Sequence, residues 1–156
     1  MKKWLHWVLL LAVIPILSFG GLGGEDVGKL RPVQVVEIRK RNNGVQLQTD
    51  TQDLGVGADV IQAVKYMKDT STARVFLDTA DYLLIEPGTE IWLSQLQEYL
   101  RPSCCLCYVT GEVDLYEAGQ YLQLHEPKLT LTHYEAGKRN LPELISKEGS
   151  MKLVQP

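Results

Sequence analysis

Cysteine is scarce in this chain, and all of it falls within four consecutive positions, Cys104-Cys105-Leu106-Cys107. Neighbouring cysteines form at most a strained bridge, and with three thiols one is always left over. Positive charge is also in short supply. The whole chain carries 16 basic and 19 acidic residues, and setting aside Lys2 and Lys3 leaves 14 against 19, which argues against a nucleic-acid-binding surface. The one basic cluster, Arg39-Lys40-Arg41, reads as the solvated end of a hairpin. Catalytic signatures are missing: there is no Gly-x-Ser-x-Gly elbow, no His-Glu-x-x-His, and no Gly-Lys-Ser/Thr ending to a phosphate loop. No internal repeat is present. These absences leave no catalytic residue, no cofactor, no metal site and no small-molecule ligand to assign.

What the chain does have is an export-type amino terminus. Met1-Lys2-Lys3 precedes an apolar run from Trp4 to Phe19, with Ser18 and Gly20 spaced as at a signal-peptidase site. Cleavage after Gly20 and retention as a single-span anchor are both open, since Pro15 interrupts a run shorter than the roughly 20 residues a spanning helix wants. Either way, residues from Glu25 onward are expected outside the cytoplasm, after a flexible Gly-rich spacer. The division is therefore residues 1–24, leader or anchor, and residues 25–156, one extracytoplasmic domain.

The densest strand-forming stretch of that domain runs from Arg74 to Glu86. It reads as two strand pieces, Val75 to Leu77 and Tyr82 to Ile85, hinged by Asp78-Thr79-Ala80-Asp81. Tyr82-Leu83-Leu84-Ile85 is apolar on both faces, which suits a strand near the middle of a sheet covered by helices on each side. Around it, Pro32 to Ile38, the turn Asn42-Asn43-Gly44 and Val45 to Thr49 predict a hairpin. Asp50 to Gly57 reads as a loop. Asp59, answered by Gln62, caps a helix whose stripe is Val60, Val64 and Met67 with Ile61 beside them. A second helix is expected after Pro87-Gly88-Thr89, with Trp92, Leu96, Tyr99 and Leu100 on its core face. Ser103 to Thr110 follows as a strand, and Asp114 with Glu117 opens a third helix that buries Leu115, Ala118 and Leu122, weakened by Gly119. Leu129 to His133 alternates as a strand should, and Leu144-Ile145 with Met151 to Val154 form a last hairpin around Glu148-Gly149. The fold class is α/β: a mixed sheet with about three helices packed on it.

Within this fold the cysteine cluster is the most unusual group. On a strand, Cys105 and Cys107 face one way and Cys104 the other. They read as small buried hydrophobes, as a disulfide with one free thiol, or as a metal site, for which zinc would need His125 or His133. Gly55-Val56-Gly57 before a helix has the look of a phosphate loop, but Asp59 at the cap would repel an anion, and an unusual turn explains the glycines. Asp50, Asp53 and Gly55 match a calcium loop only faintly. Asp78 and Asp81 could pair as acid and base, though carboxylates in a turn more often bond to local backbone. Trp92 and Tyr99 share the stripe of Leu96 and read as core.

Taken together, the strand pair, the helix ending in Lys65-Tyr-Met-Lys-Asp-Thr-Ser71, the segment Arg74 to Glu86, the helix ending Tyr99-Leu-Arg-Pro-Ser103, and the strand running into Thr110-Gly-Glu-Val-Asp114 form a pattern. From about Val33 to Leu122 this pattern resembles the N-terminal domain of the C subunit of bacterial spore germinant receptors, the Ger(x)C lipoproteins. Those lipoproteins carry a cysteine at the cleavage site, where this chain has Gly20-Gly21, and they continue into two further domains. The resemblance therefore implies a short single-domain relative. It implies a non-enzymatic protein on the outer side of the cytoplasmic or spore inner membrane, working beside integral-membrane protein partners in germination. No functional residue of the family carries over. The alternative from the residues alone is a small secreted thiol or metal protein, or an enzyme, built on Cys104, Cys105 and Cys107.

Overall fold

The computed structural model describes residues 30–134, 141–147 and 150–156, and the leader and anchor expectations for residues 1–24 lie outside them. The amino-terminal half of the domain is assembled from neighbours in sequence. Strand β1 (Leu30–Pro32) is followed by β2 (Val35–Arg41), β3 (Gly44–Thr49) and β4 (Leu54–Gly57). Arg41 pairs with Gly44 across Asn42-Asn43, so the predicted hairpin closes on a two-residue loop. Helix α1 (Val60–Thr70) begins where expected, with the Asp59 carboxylate accepting the Gln62 N–H at 2.8 Å.

The second half is laid down in parallel. It comprises β5 (Arg74–Phe76), β6 (Tyr82–Ile85), the single α-helical turn α2 (Leu93–Leu96), β7 (Cys105–Thr110), α3 (Leu115–Leu124), β8 (Glu143–Lys147) and β9 (Ser150–Val154). Seven strands form one mixed sheet in the order β4-β3-β2-β6-β7-β8-β9, with β2, β6, β7 and β8 parallel and the outer strands antiparallel. Strand β6 is the middle strand, buried along its whole length, as its two-sided apolar sequence predicts. The fold class read from the sequence is thus the observed one.

The two faces are covered differently. Val36 and Ile38 of β2, Leu83 and Ile85 of β6 and Leu106 of β7 pack under α1 and the α2 turn, through Val64, Met67, Leu93 and Leu96. Val35, Leu84, Cys107, Val109 and Leu144 lie under α3, through Leu115, Ala118 and Leu122. Along β2, the alternation of side chains divides one strand between two cores.

Several expectations are corrected. The end of the predicted loop, Leu54 to Gly57, is the edge strand β4. Ile61 is not part of the buried stripe; it is 52% exposed on the outer side of α1, one position out of register with Val60, Val64 and Met67. Val75 belongs to a separate two-stranded ribbon in which β5 pairs with β1, because a 3-10 turn at Leu77–Thr79 breaks the chain before β6 and the Thr79 hydroxyl ties it to Val33. The second helix is one 3-10 turn, Glu90–Trp92, and one α turn. Leu129 to His133 is not a strand. Thr130 makes a single bridge to Cys105 and the chain then turns through a 3-10 helix at Leu131–His133, because β8 occupies the edge of β7 from Tyr108 onward.

Candidate functional site

Where the connections from adjacent parallel strands leave to opposite faces, an open α/β sheet has a crevice at the strands' carboxyl ends. Here the chain leaving β6 passes through Pro87 to α2 on one face, whereas the chain leaving β7 passes through Gly111 to α3 on the other. Between them lies a cavity of about 240 Å³ lined by Arg39, Glu86, Pro87, Val109, Thr110 and Gly111.

The charged core of this crevice comes from β2. Glu37 and Arg39 are two residues apart on a strand and so share the α3 face with Val35. The Glu37 side chain is 2% exposed, and its Oε1 lies 2.8 Å from Nη2 of Arg39, which is itself 27% exposed. The same nitrogen donates to the Gly111 carbonyl at 3.0 Å, so one guanidinium joins β2 to the loop leaving β7. Burial pushes the Glu37 carboxyl above its ordinary range, against the opposing pull of Arg39, while Glu37 above all holds the guanidinium charged. Nearby, Glu86 Oε2 accepts the Lys40 N–H at 2.6 Å and the Thr110 hydroxyl donates to Glu143 at 2.7 Å. The crevice therefore holds paired charges and no cysteine, serine or histidine among its described lining residues. Its chemistry is that of a clamp with a proton-holding carboxyl beneath it.

The residues singled out in the sequence are dispersed. Cys104 is buried on the α1 face, Cys105 and Cys107 on the α3 face, and all three are free thiols. Burial pushes the Cys104 thiol up to about 12 and raises Cys105 and Cys107 as well, which suppresses the thiolate that nucleophilic or metal chemistry needs. Among the described residues no group of three His, Cys, Asp or Glu side chains is placed to hold a metal ion. His125 stacks on Tyr121 at the end of α3, and the His133 ring bonds to the Thr130 hydroxyl. Asp50 accepts the backbone N–H groups of Gln34 and Val35, and Asp53 is bonded by the hydroxyls of Thr51 and Ser71, so neither is turned toward a cation. Asp81 pairs with Arg101, while Asp78 is exposed, so the imagined acid and base do not form a couple. Trp92 and Tyr99 are half-buried against the α1-side core.

Gly55 and Gly57 have a packing role. A Cβ on Gly55 would stand 2.4 Å from the Ala63 carbonyl oxygen, and one on Gly57 would stand 2.5 Å from the Ala63 nitrogen, so these positions admit α1 against the edge strand. The Glu37–Arg39 pair was missed in the sequence because the basic trio was read as solvated. Lys40 and Arg41 are exposed, but Arg39 folds back over Glu37. Its signal was the two-residue spacing of opposite charges within a Val-rich strand. Compared with protein-family models, with curated proteins and with solved structures, the chain matches none.

Proposed function

We propose that this chain is a non-enzymatic, membrane-associated extracytoplasmic domain that acts by binding a protein partner, in the manner of the N-terminal domain of a germinant-receptor C subunit. The observation that carries the reading is the continuity of the resembling stretch. Val33 to Leu122 spans β2 to α3 as one run of paired elements, with the segment Arg74 to Glu86 supplying the sheet's middle strand. The export-type leader supports the location. The inert thiols and the internally paired crevice support a binding role over a chemical one.

Among the described residues no helix is long and apolar enough to cross a membrane, so attachment under this reading falls to residues 4–19. The test is fractionation of growing and sporulating cells, with the mature amino terminus sequenced from the fraction that holds the protein. The expected result is a membrane-bound chain during sporulation with Trp4 to Phe19 intact. A chain cut after Gly20 and soluble in growing cells would remove the germination reading.

A further inference from the structure

The largest cavity bordered by described residues is a groove of about 530 Å³ on the α1 side, away from the crevice. One wall is an unbroken run of chain from Ala73 to Asp78, and the other is formed by Lys68 at the end of α1 with Glu98 and Tyr99 after α2. Val75 and Leu77 are 5% and 4% exposed with their side chains in the core, so what they offer the groove is main chain. Strand β5 is paired on one side only, by β1, and no other described strand lies along its second side. A strand edge of this kind is a row of N–H and C=O groups in search of partners. The Phe76 and Tyr99 rings add apolar walls, with the Arg74 guanidinium 5.3 Å from the first ring and Lys68 Nζ 5.8 Å from the second.

We propose that this groove docks an extended peptide segment of a protein partner, which joins β5 as the third strand of the β1–β5 ribbon. Main-chain edges recognise extended chains, whereas a helix has already used its main-chain groups internally. Lys68 and Arg74 balance Asp78 and Glu98 along the walls, so selection falls on the peptide's backbone and on an apolar side chain seated by Phe76 and Tyr99. Position fits the partner's class. Leu30 of β1 is eleven residues beyond Phe19, a reach of at most about 40 Å. In an anchored chain the groove is thus within range of the outer loops of an integral-membrane protein. The inference rests on the partner-binding reading and adds where and how the partner is held.

The test places a benzophenone amino acid at Lys68 or at Glu98, and as control at exposed Tyr116 on α3, in the full chain expressed in its own membranes. Light should join the groove variants, and not the control, to one stretch of another protein. A synthetic hexapeptide of that stretch should bind the purified chain and weaken about tenfold when alternate backbone nitrogens are methylated, as loss of main-chain hydrogen bonds demands. Three results overturn the docking site: adducts formed only from Tyr116, adducts to the chain's own residues 1–29, or a hexapeptide indifferent to methylation. Adducts from Tyr116 alone would leave the partner-binding reading standing. No adduct to any other protein from any of the three positions would sink both.

Discussion

Replacing Arg39 by Met isolates the electrostatics of the clamp, because it keeps the side chain's stem and removes the only cation contacting Glu37 in the clamp. A carboxylate 2% exposed would then sit in the sheet without its partner. Stranding a fully buried charge costs about 3–5 kcal/mol; because Arg39 is itself 27% exposed and partly screened, about 2–3 kcal/mol is expected at pH 7. With a urea slope of about 1.5–2 kcal/mol per molar, the midpoint should fall by roughly 1–2 M. The pH dependence gives the sharper test. Burial already raises the folded-state value of Glu37 above 4.5, and loss of Arg39 raises it further. An acid with a raised folded value contributes stability that is present below its unfolded value and lost as pH rises through the folded one. The deficit of R39M should therefore shrink as pH is lowered from 7 toward 5, and the double variant E37L/R39M should recover most of the loss at pH 7. An equal deficit at both pH values, or a double variant no better than the single, would refute the account of Glu37 as a buried charge held by Arg39.

Gly57→Ala should cost about 1–3 kcal/mol in thermal unfolding, since the new methyl would stand 2.5 Å from the Ala63 nitrogen and 2.6 Å from Gln62 Cβ; an unchanged midpoint would mean α1 can move aside. In a native sample at pH 8 the three thiols should resist a water-soluble disulfide reagent and react together in denaturant, while Cys107→Ser, which buries a hydroxyl, should destabilise by about 1–3 kcal/mol. Asp50→Ala should lose about 2 kcal/mol by orphaning the Gln34 and Val35 N–H groups, and Asp50→Asn, which keeps an acceptor oxygen, should lose less in the same urea titration.

What could be read from the sequence was what is decided locally. The Asn42-Asn43-Gly44 turn, the caps Asp59 and Asp114, and the two-sided apolar run Tyr82 to Ile85 each carry their structural instruction within a few residues. What escaped was decided by distant chain. Leu54-Gly55-Val56-Gly57 has poor strand propensity, yet it pairs with β3 because glycine lets α1 lie against it. Gly119 looks like a weak point of α3 until Val35 Cγ2 is found 3.0 Å from where its Cβ would be. Leu129 to His133 alternates like a strand but finds its edge of β7 already taken by β8. The clamp depends on a carbonyl 72 residues from Arg39, and the groove on an edge that only the pairing of β1 with β5 leaves open.

The strand order has a consequence for how the molecule is made. From β2 to β9 the sheet is arranged in the order in which its strands are synthesised, apart from the antiparallel flap of β3 and β4 and the separate strand β5. Residues 35–70 contain β2, that flap and α1, so a seeded half-sheet with one covered face can form from local contacts alone. Each later strand then meets a template already in place: β6 on β2, β7 on β6, β8 on β7, and β9 turning back on β8. Pulse-labelled hydrogen exchange during refolding should find the amides of β3 and α1 protected ahead of those of β8 and β9. Simultaneous protection would mean that the sheet closes in one step instead of growing strand by strand from its amino-terminal seed.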